Sequence, residues 1–268
     1  MTIALGMLCG NGAIVAADER RCLADGSSVY ENKILRFDGP SIAFAIADAP
    51  YNANAAQSLV RKIAFGLANT PIQGWQNIEP LISGAMTEWY VPFTEAPDTD
   101  LIIAVILKGF GVQLYFCEPP NTVLPKAEGY ASAGVGAAVT DPLAATLFGP
   151  GAASRHPQIV LRQIAYLMYR AKKDNAFCGG RTDAVYLDSR AEALEWVNTN
   201  EMQEAERASF QLDFVLNMAA TATLGGLSSG EMLKHNAQAV HNLIMQSQRI
   251  RGTTFHDIRG NYIGPQLQ

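Results

Sequence analysis

The sequence has little charge and lacks the signals of membrane, secreted and nucleic-acid-binding proteins. Charged residues make up 17% of the chain, against roughly 25% in average globular proteins, and the net charge is -5 without a run of one sign. No apolar stretch approaches the ~20 residues that span a bilayer, and Asp18 and Glu19 come too early for a secretory signal. We therefore expect no membrane segment, a cytoplasmic location and, because a basic surface is missing, no nucleic-acid partner.

Cysteine is also scarce, and its spacing excludes the common cysteine-based sites. The four cysteines lie far apart, at positions 9, 22, 117 and 178, with no C-x-x-C pair and no histidine at zinc-ligand spacing. The sequence therefore predicts free thiols in a reducing compartment and no bound metal.

Apolar patterns and turn residues predict strands in antiparallel groups and helices in pairs. Two hairpins are centred on Gly10–Gly12 and Asp38–Pro40, because glycine, asparagine and proline there favour tight turns. Two helices, further strands, two more helices and a last strand pair follow. Asp141 as an N-cap and Pro142 as a first-turn proline predict the start of the third helix. This order favours an α+β protein with helices on the outsides of two stacked sheets.

The pattern becomes helical after residue 197. Phe210, Phe214, Val215 and Met218 predict one helix, and a capping box formed by Ser228 and Glu231 predicts a second. We therefore divide the chain into a core domain, residues 1–197, and a helical C-terminal extension, residues 198–268.

Two glycine motifs formally match binding or catalytic patterns. Gly134-Val135-Gly136 lacks the third glycine of a dinucleotide-binding loop and is better interpreted as a tight turn. Residues 226–230 match the G-x-S-x-G of esterases, but His235 and His241 follow too closely to serve as the base of a triad. A helix cap explains that motif more simply.

The residues near the N-terminus offer a different chemistry. Thr2 follows Met1, and a small second residue generally allows removal of the initiator methionine. The freed threonine would combine a hydroxyl nucleophile with an α-amine whose pKa, near ~7.7–8, suits a base at neutral pH. Asp18 and Lys33 are charged residues in largely apolar strand contexts nearby.

Taken together, these residues resemble a proteasome β-type subunit, which belongs to the N-terminal-nucleophile hydrolases. Thr2 stands at the family's catalytic threonine, Ala17–Arg20 matches its A-x-D-x-R block, and Lys33 opens the following strand. Later in the chain, Ser132–Gly136 resembles its G-S-G turn and Cys178–Asp183 its S-G-G-x-x-D block. The resemblance covers roughly residues 2–197 and implies a four-layer αββα sandwich.

The resemblance also implies roles for individual residues. Thr2 would attack the carbonyl, Lys33 would favour its alkoxide-like form, and Asp18 would hold Lys33. Supporting or oxyanion-forming positions are implied at the following six residues: Ile46, Ala47, Val135, Asp174, Cys178 and Asp183.

Several of these supporting positions depart from the family pattern. Val135 and Cys178 replace serines, and Asn175 takes the place of an acid, which is displaced to Asp174. The segment Ala45–Asp48 lacks the usual glycine.

Two functions remain open at this point. One is a threonine-type endopeptidase or amidohydrolase that acts on peptides or unfolded proteins and needs no cofactor. The other is a catalytically silent subunit that assembles with copies of itself. The presence of Thr2, Asp18 and Lys33 favours the enzyme, whereas Val135 favours the silent subunit. For either function the resemblance implies a homo-oligomer, built in this family from stacked rings, and an ATPase regulator as a partner.

Overall fold

The computed structural model describes residues 2–22, 27–50, 53–93, 99–147 and 154–224. Within these ranges the chain has a mixed α/β fold with five α-helices and three antiparallel sheets. The strands are β1 (Ala4–Cys9), β2 (Gly12–Asp18), β3 (Arg20–Cys22), β4 (Ser28–Tyr30), β5 (Ile34–Asp38), β6 (Ile42–Pro50), β7 (Thr99–Leu107), β8 (Gly111–Glu118), β9 (Thr122–Pro125), β10 (Tyr130–Ala133), β11 (Thr182–Asp188) and β12 (Ala193–Trp196). The helices are α1 (Ala53–Asn69), α2 (Ile78–Tyr90), α3 (Ala137–Leu147), α4 (Pro157–Asp174) and α5 (Thr199–Leu224).

Two five-stranded sheets form the body of the fold. The first sheet has the strand order β10-β1-β2-β11-β12, and the second has the order β5-β6-β7-β8-β9. The third sheet contains only β3 and β4. Because side chains alternate between the faces of a strand, each large sheet can contribute to two apolar cores.

Three clusters of buried apolar side chains account for the packing. The central core combines residues of both large sheets and is rich in alanine, including Ala4, Ala17, Ala45 and Ala104. One outer core joins the first sheet to α3, α4 and the start of α5. The other joins the second sheet to α1 and α2. Small side chains in the central core allow the two sheets to approach closely.

Gly6 of β1 shows how close that approach is. A methyl group at this position would lie 2.5 Å from Ile102 Cγ2 and 2.6 Å from Leu114 Cδ1, both in the second sheet. The contact leaves no room for a side chain between the sheets at this point.

The structure confirms both predicted hairpins, as β1–β2 and β5–β6. The helix expected to open at Asp141 and Pro142 begins earlier, at Ala137, so that Pro142 lies inside α3. The reason is the preceding turn, because the Gly136 carbonyl accepts the N–H groups of Val139 and Thr140 and starts the helix there. The short strands β3, β4 and β9 were not predicted.

The predicted first helix of the C-terminal region is confirmed as α5. Met202 and Ala205, in its first turns, belong to the outer core of the first sheet. The second predicted helix, the 226–230 motif, His235 and His241 lie outside the described residues, and the domain boundary at residue 197 stays a prediction. None of the helices described is long and apolar enough to cross a membrane.

Candidate functional site

Thr2, Asp18 and Lys33 meet at one end of the two large sheets. The β1–β2 register pairs Ala4 with Ala17, which brings Asp18 beside the segment preceding β1, and the Asp18 N–H donates to the Ile3 carbonyl at 3.2 Å. Lys33 approaches from the second sheet, one residue before β5. All three residues are buried. The structure thus brings together the three residues that the sequence pattern singled out, while their chemical roles stay predictions.

The Asp18 carboxylate is the centre of this cluster. One oxygen, Oδ1, accepts hydrogen bonds from the Thr2 hydroxyl, from the Ile3 N–H at 3.1 Å and from Lys33 Nζ at 2.7 Å. The other oxygen, Oδ2, accepts the Gly179 N–H at 2.8 Å. A buried carboxylate surrounded by four donors is fixed in position, and it orients the groups that donate to it.

The Lys33 ammonium group contacts the Thr2 hydroxyl directly. Its Nζ donates to Thr2 Oγ1, to Asp18 and to the carbonyl of Arg20. Burial lowers the pKa of Lys33, although the negative charge of Asp18 opposes that effect. The arrangement places a cation against the Thr2 oxygen, where negative charge would develop if Thr2 attacked a carbonyl.

A glycine turn lies directly over the main chain of Thr2. Gly134 has φ +83°, and a methyl group there would lie 2.4 Å from the Thr2 carbonyl oxygen. At Gly136 a methyl group would lie 2.7 Å from Ile3 Cβ. The Gly136 N–H donates to the Thr2 carbonyl at 3.4 Å. Both glycines are therefore needed for this close approach. The Val135 carbonyl between them accepts Asn175 Nδ2 at 3.1 Å.

The remaining supporting residues are distributed unevenly around the cluster. Cys178 is buried beside Gly136 and precedes the glycine that donates to Asp18. Asp174 is turned toward its own helix, where Arg170 donates to it at 2.9 Å and 3.0 Å. Asp183 is half-buried on β11, and burial together with the negative charge of Glu19 raises its pKa.

The two positions expected to form an oxyanion hole lie within β6. The Ile46 side chain belongs to the outer core beneath α1 and α2, and the Ala47 side chain belongs to the central core. β6 is paired with β5 and β7 at both residues, and ladder donors alternate between the two neighbouring strands. An oxyanion role for either N–H would therefore require that it leave the ladder, and this role stays a prediction.

A second layer of charge lies next to Lys33 and was missed by sequence reasoning. Arg21 forms ion pairs with Glu31 and with Asp48, the latter at 3.4 Å, and both Arg21 and Asp48 are buried. Burial raises the pKa of Asp48 to about 6, although the positive charges of Arg21 and Lys33 oppose the rise. The only sequence signals were an arginine three residues after Asp18 and an aspartate in an apolar strand.

The buried thiols give a prediction about chemical labelling. Burial raises the pKa of Cys178 to about 12 and that of Cys9 to about 11, and it also raises the pKa of Cys117. Because the thiolate is the reactive form, iodoacetamide at pH 8 is expected to alkylate the half-buried Cys22 first. Peptide mass spectrometry after short exposures measures the order, and urea-unfolded protein, in which all four should react, is the control. Early labelling of Cys178 in the native protein would contradict its buried position.

Among the described residues, no three histidine, cysteine, aspartate or glutamate side chains come together as a metal site. Comparison of the sequence finds no matching family model and no matching curated protein.

Comparison of the fold does find similar structures. Anbu from Yersinia bercovieri, described as an ancestral beta-subunit, has a TM-score of 0.68 and 14% identity over 81% of this chain and 97% of its own. A helical assembly of the Anbu complex from Pseudomonas aeruginosa gives 0.68 and 13%, over 85% and 97% of the two chains. The Anbu (Gly-1) mutant from Hyphomicrobium sp. strain MC1 gives 0.66 and 15%, over 82% and 97%. At these identities the likeness shows a shared fold.

Proposed function

We propose that this chain is a threonine-type N-terminal-nucleophile hydrolase that cleaves peptide or amide bonds. The observation that carries the proposal is the buried Thr2 hydroxyl, which donates to Asp18 and accepts from Lys33. An ordinary structural threonine has no need of a buried cation against its oxygen, because burying that cation is costly. The structural likeness to the ancestral beta-subunit of Yersinia bercovieri supports the fold that this proposal assumes.

The proposed reaction requires that Thr2 become the first residue. Its α-amine then accepts the hydroxyl proton as Thr2 Oγ1 attacks the substrate carbonyl carbon. The amine returns that proton to the leaving nitrogen as the C–N bond breaks, which leaves an ester on Thr2. Water then attacks the ester with the same amine as base, and the acid product and free Thr2 are released.

The surrounding groups have distinct parts in this reaction. Lys33 stabilises the negative charge that develops on Thr2 Oγ1, and Asp18 holds Lys33 in place and favours its charged form. Thr2 is fully buried, so the reaction also requires that a substrate gain access to it. No step in this scheme needs a cofactor.

The assembly and the location of the protein belong to the same proposal. The three apolar clusters favour a four-layer αββα sandwich for residues 1–197, with residues 198–268 as a helical extension. The helical assembly formed by the Pseudomonas aeruginosa protein favours self-association of this chain. We propose a cytoplasmic homo-oligomer, in stacked rings or a related arrangement, that acts on peptides or unfolded proteins and can receive them from an ATPase regulator.

The state of the N-terminus provides the direct test. A cleavable fusion that leaves Thr2 as the first residue is compared with the same chain retaining Met1, and intact mass verifies both forms. We expect the processed form to hydrolyse casein or members of a fluorogenic peptide-amide panel at least about 10²-fold faster, because only it has the amine base. A processed Thr2→Ala variant is the control and should be inactive. Equal activity in both forms would exclude the α-amine as the base.

One observation favours the silent subunit as a second candidate. Val135 has no hydroxyl to support the Thr2 amine, and its carbonyl is engaged by Asn175 instead. A processed protein that assembles, folds and hydrolyses nothing in the panel would support this second function.

A further inference from the structure

A polar cluster outside the reactive site joins α4, β11 and α5. Lys172 Nζ donates to Thr182 Oγ1 at 2.6 Å and to the two carboxylate oxygens of Glu206 at 2.9 Å and 3.0 Å. The Thr182 hydroxyl in turn donates to Glu206. Thr182 is buried, while the other two side chains are less than one-fifth exposed. Glu206 therefore accepts hydrogen bonds from both of the other members.

The Lys172–Thr182 bond closes the connection between α4 and β11. Lys172 lies in the last turn of α4, and Thr182, ten positions later, is the first residue of β11. Residues 175–181 lie between these two ends. A side-chain bond across the base of such a connection restricts the conformations that it can adopt.

This connection delivers a hydrogen bond to the reactive cluster. The Gly179 N–H donates to Asp18 Oδ2 at 2.8 Å, and the Gly179 carbonyl accepts the Arg20 N–H at 3.1 Å. Thr182 is also the direct cross-strand partner of Asp18 in the β2–β11 register. Thr182, at the end of the connection, and Asp18, which accepts the Gly179 N–H, therefore lie on neighbouring strands.

We propose that Glu206 is a positioning residue for this site. By holding Lys172 and Thr182 together, it fixes the 175–181 connection so that the Gly179 N–H is presented to Asp18. This inference rests on the proposed hydrolase function. It makes the first turns of α5, which lie beyond the predicted core domain, a required part of the site.

The test replaces Glu206 by glutamine and uses Glu204→Gln, at an exposed position on the same helix, as the matched control. Glutamine keeps the shape of the side chain. Its NH₂ group, however, is a donor and would face Lys172 or Thr182, which donate hydrogen bonds to the Glu206 carboxylate. We expect kcat of the processed E206Q protein to fall about 10- to 100-fold with KM within about twofold, because small displacements of reacting groups cost rate more than binding. Glu206→Asp should recover part of the loss, and E204Q should match the wild type.

A second measurement is independent of activity. Amide hydrogen exchange of the peptide containing residues 175–181 should be at least about tenfold faster in E206Q than in E204Q, because local opening sets the exchange rate. If E206Q does not fold, E206D is measured in the same way and should show a smaller increase. Unchanged exchange in a folded Glu206 variant would overturn the inference.

The two measurements also separate the inference from the proposed function. If the Thr2→Ala variant is as active as the wild type, the hydrolase mechanism fails, while the exchange measurement still tests the positioning of Gly179. If Thr2→Ala is inactive but E206Q retains full kcat, the mechanism stands and the role of Glu206 is excluded.

Discussion

Lys33→Met is expected to abolish hydrolysis by the processed protein, with kcat at least about 10³-fold lower. The substitution keeps an unbranched chain of similar length but removes the cation that contacts Thr2 Oγ1. Loss of one preorganised charge-stabilising group at a reacting oxygen typically costs 10²–10³ in rate. We expect the larger effect here because Lys33 also contacts Asp18, at 2.7 Å. Initial rates on the fluorogenic panel measure the loss.

Lys108→Met is the matched control. Lys108 also pairs with an aspartate, Asp38, at 3.3 Å, but that pair is partly exposed and has no part in the proposed mechanism. The activity of the processed K108M protein should equal that of the wild type. A K33M protein that is folded and retains more than about one-tenth of wild-type kcat would contradict the proposed role of Lys33, which predicts a far greater loss.

Wild type and K33M together also test the lowered pKa of Lys33. Burial lowers the pKa of this lysine in the folded protein, so between that pKa and the ordinary value the unfolded chain binds more protons than the folded one. The free energy of unfolding contributed by Lys33 should therefore increase as pH rises toward 10. The free energies of unfolding of wild type and K33M are measured in urea at pH 7 and pH 9.5. The value for wild type should rise relative to that for K33M between the two pH values.

Asp18→Asn is expected to lower the free energy of unfolding by about 3–5 kcal/mol, the range seen when one partner of a buried ion pair is removed. All four groups around the carboxylate are donors: the Thr2 hydroxyl, Lys33 Nζ and the N–H groups of Ile3 and Gly179. Asparagine offers one oxygen and one NH₂, so in either orientation a donor meets a donor. Urea denaturation at pH 7 measures the loss.

Asp38→Asn provides the control for that experiment. Asp38 also accepts from a lysine, but its side chain is 41% exposed, and exposed pairs are worth about 0–1 kcal/mol. A loss in D18N no greater than the loss in D38N would mean that Asp18 is not held as the structure describes.

The sequence predicted the centre of the site because its three members lie close to the N-terminus in recognisable blocks. Asp18 ends a strand whose hairpin turn is marked by glycine and asparagine, which places it beside Thr2. Lys33 opens the next hairpin, and its place beside Thr2 and Asp18 was implied by the resemblance to proteasome β-type subunits. The apolar runs and the turn residues were sufficient for the two hairpins that carry Asp18 and Lys33.

The surroundings of the site could not be predicted in the same way. The pairing of Arg21 with Asp48 depends on the position of β3 against β6, and a three-residue strand leaves no pattern in the sequence. Asp174 illustrates the converse, because its spacing from Cys178 suggested a supporting acid while Arg170, four residues earlier on the same helix, pairs with it instead. Glu206 lies in the predicted extension, where the family resemblance had ended.

The alanine-rich central core has a consequence for the folding of the chain. Thr2 precedes the first strand of the first sheet and Asp18 ends the second strand, whereas Lys33 precedes the first strand of the second sheet. The central core joins the two sheets. A newly made chain in which only the β1–β2 hairpin has formed contains the threonine and the aspartate without the lysine. Under the proposed mechanism, the chain stays chemically inert until its sheets dock, so hydrolytic competence reports completed folding and partly folded copies are spared from cutting one another.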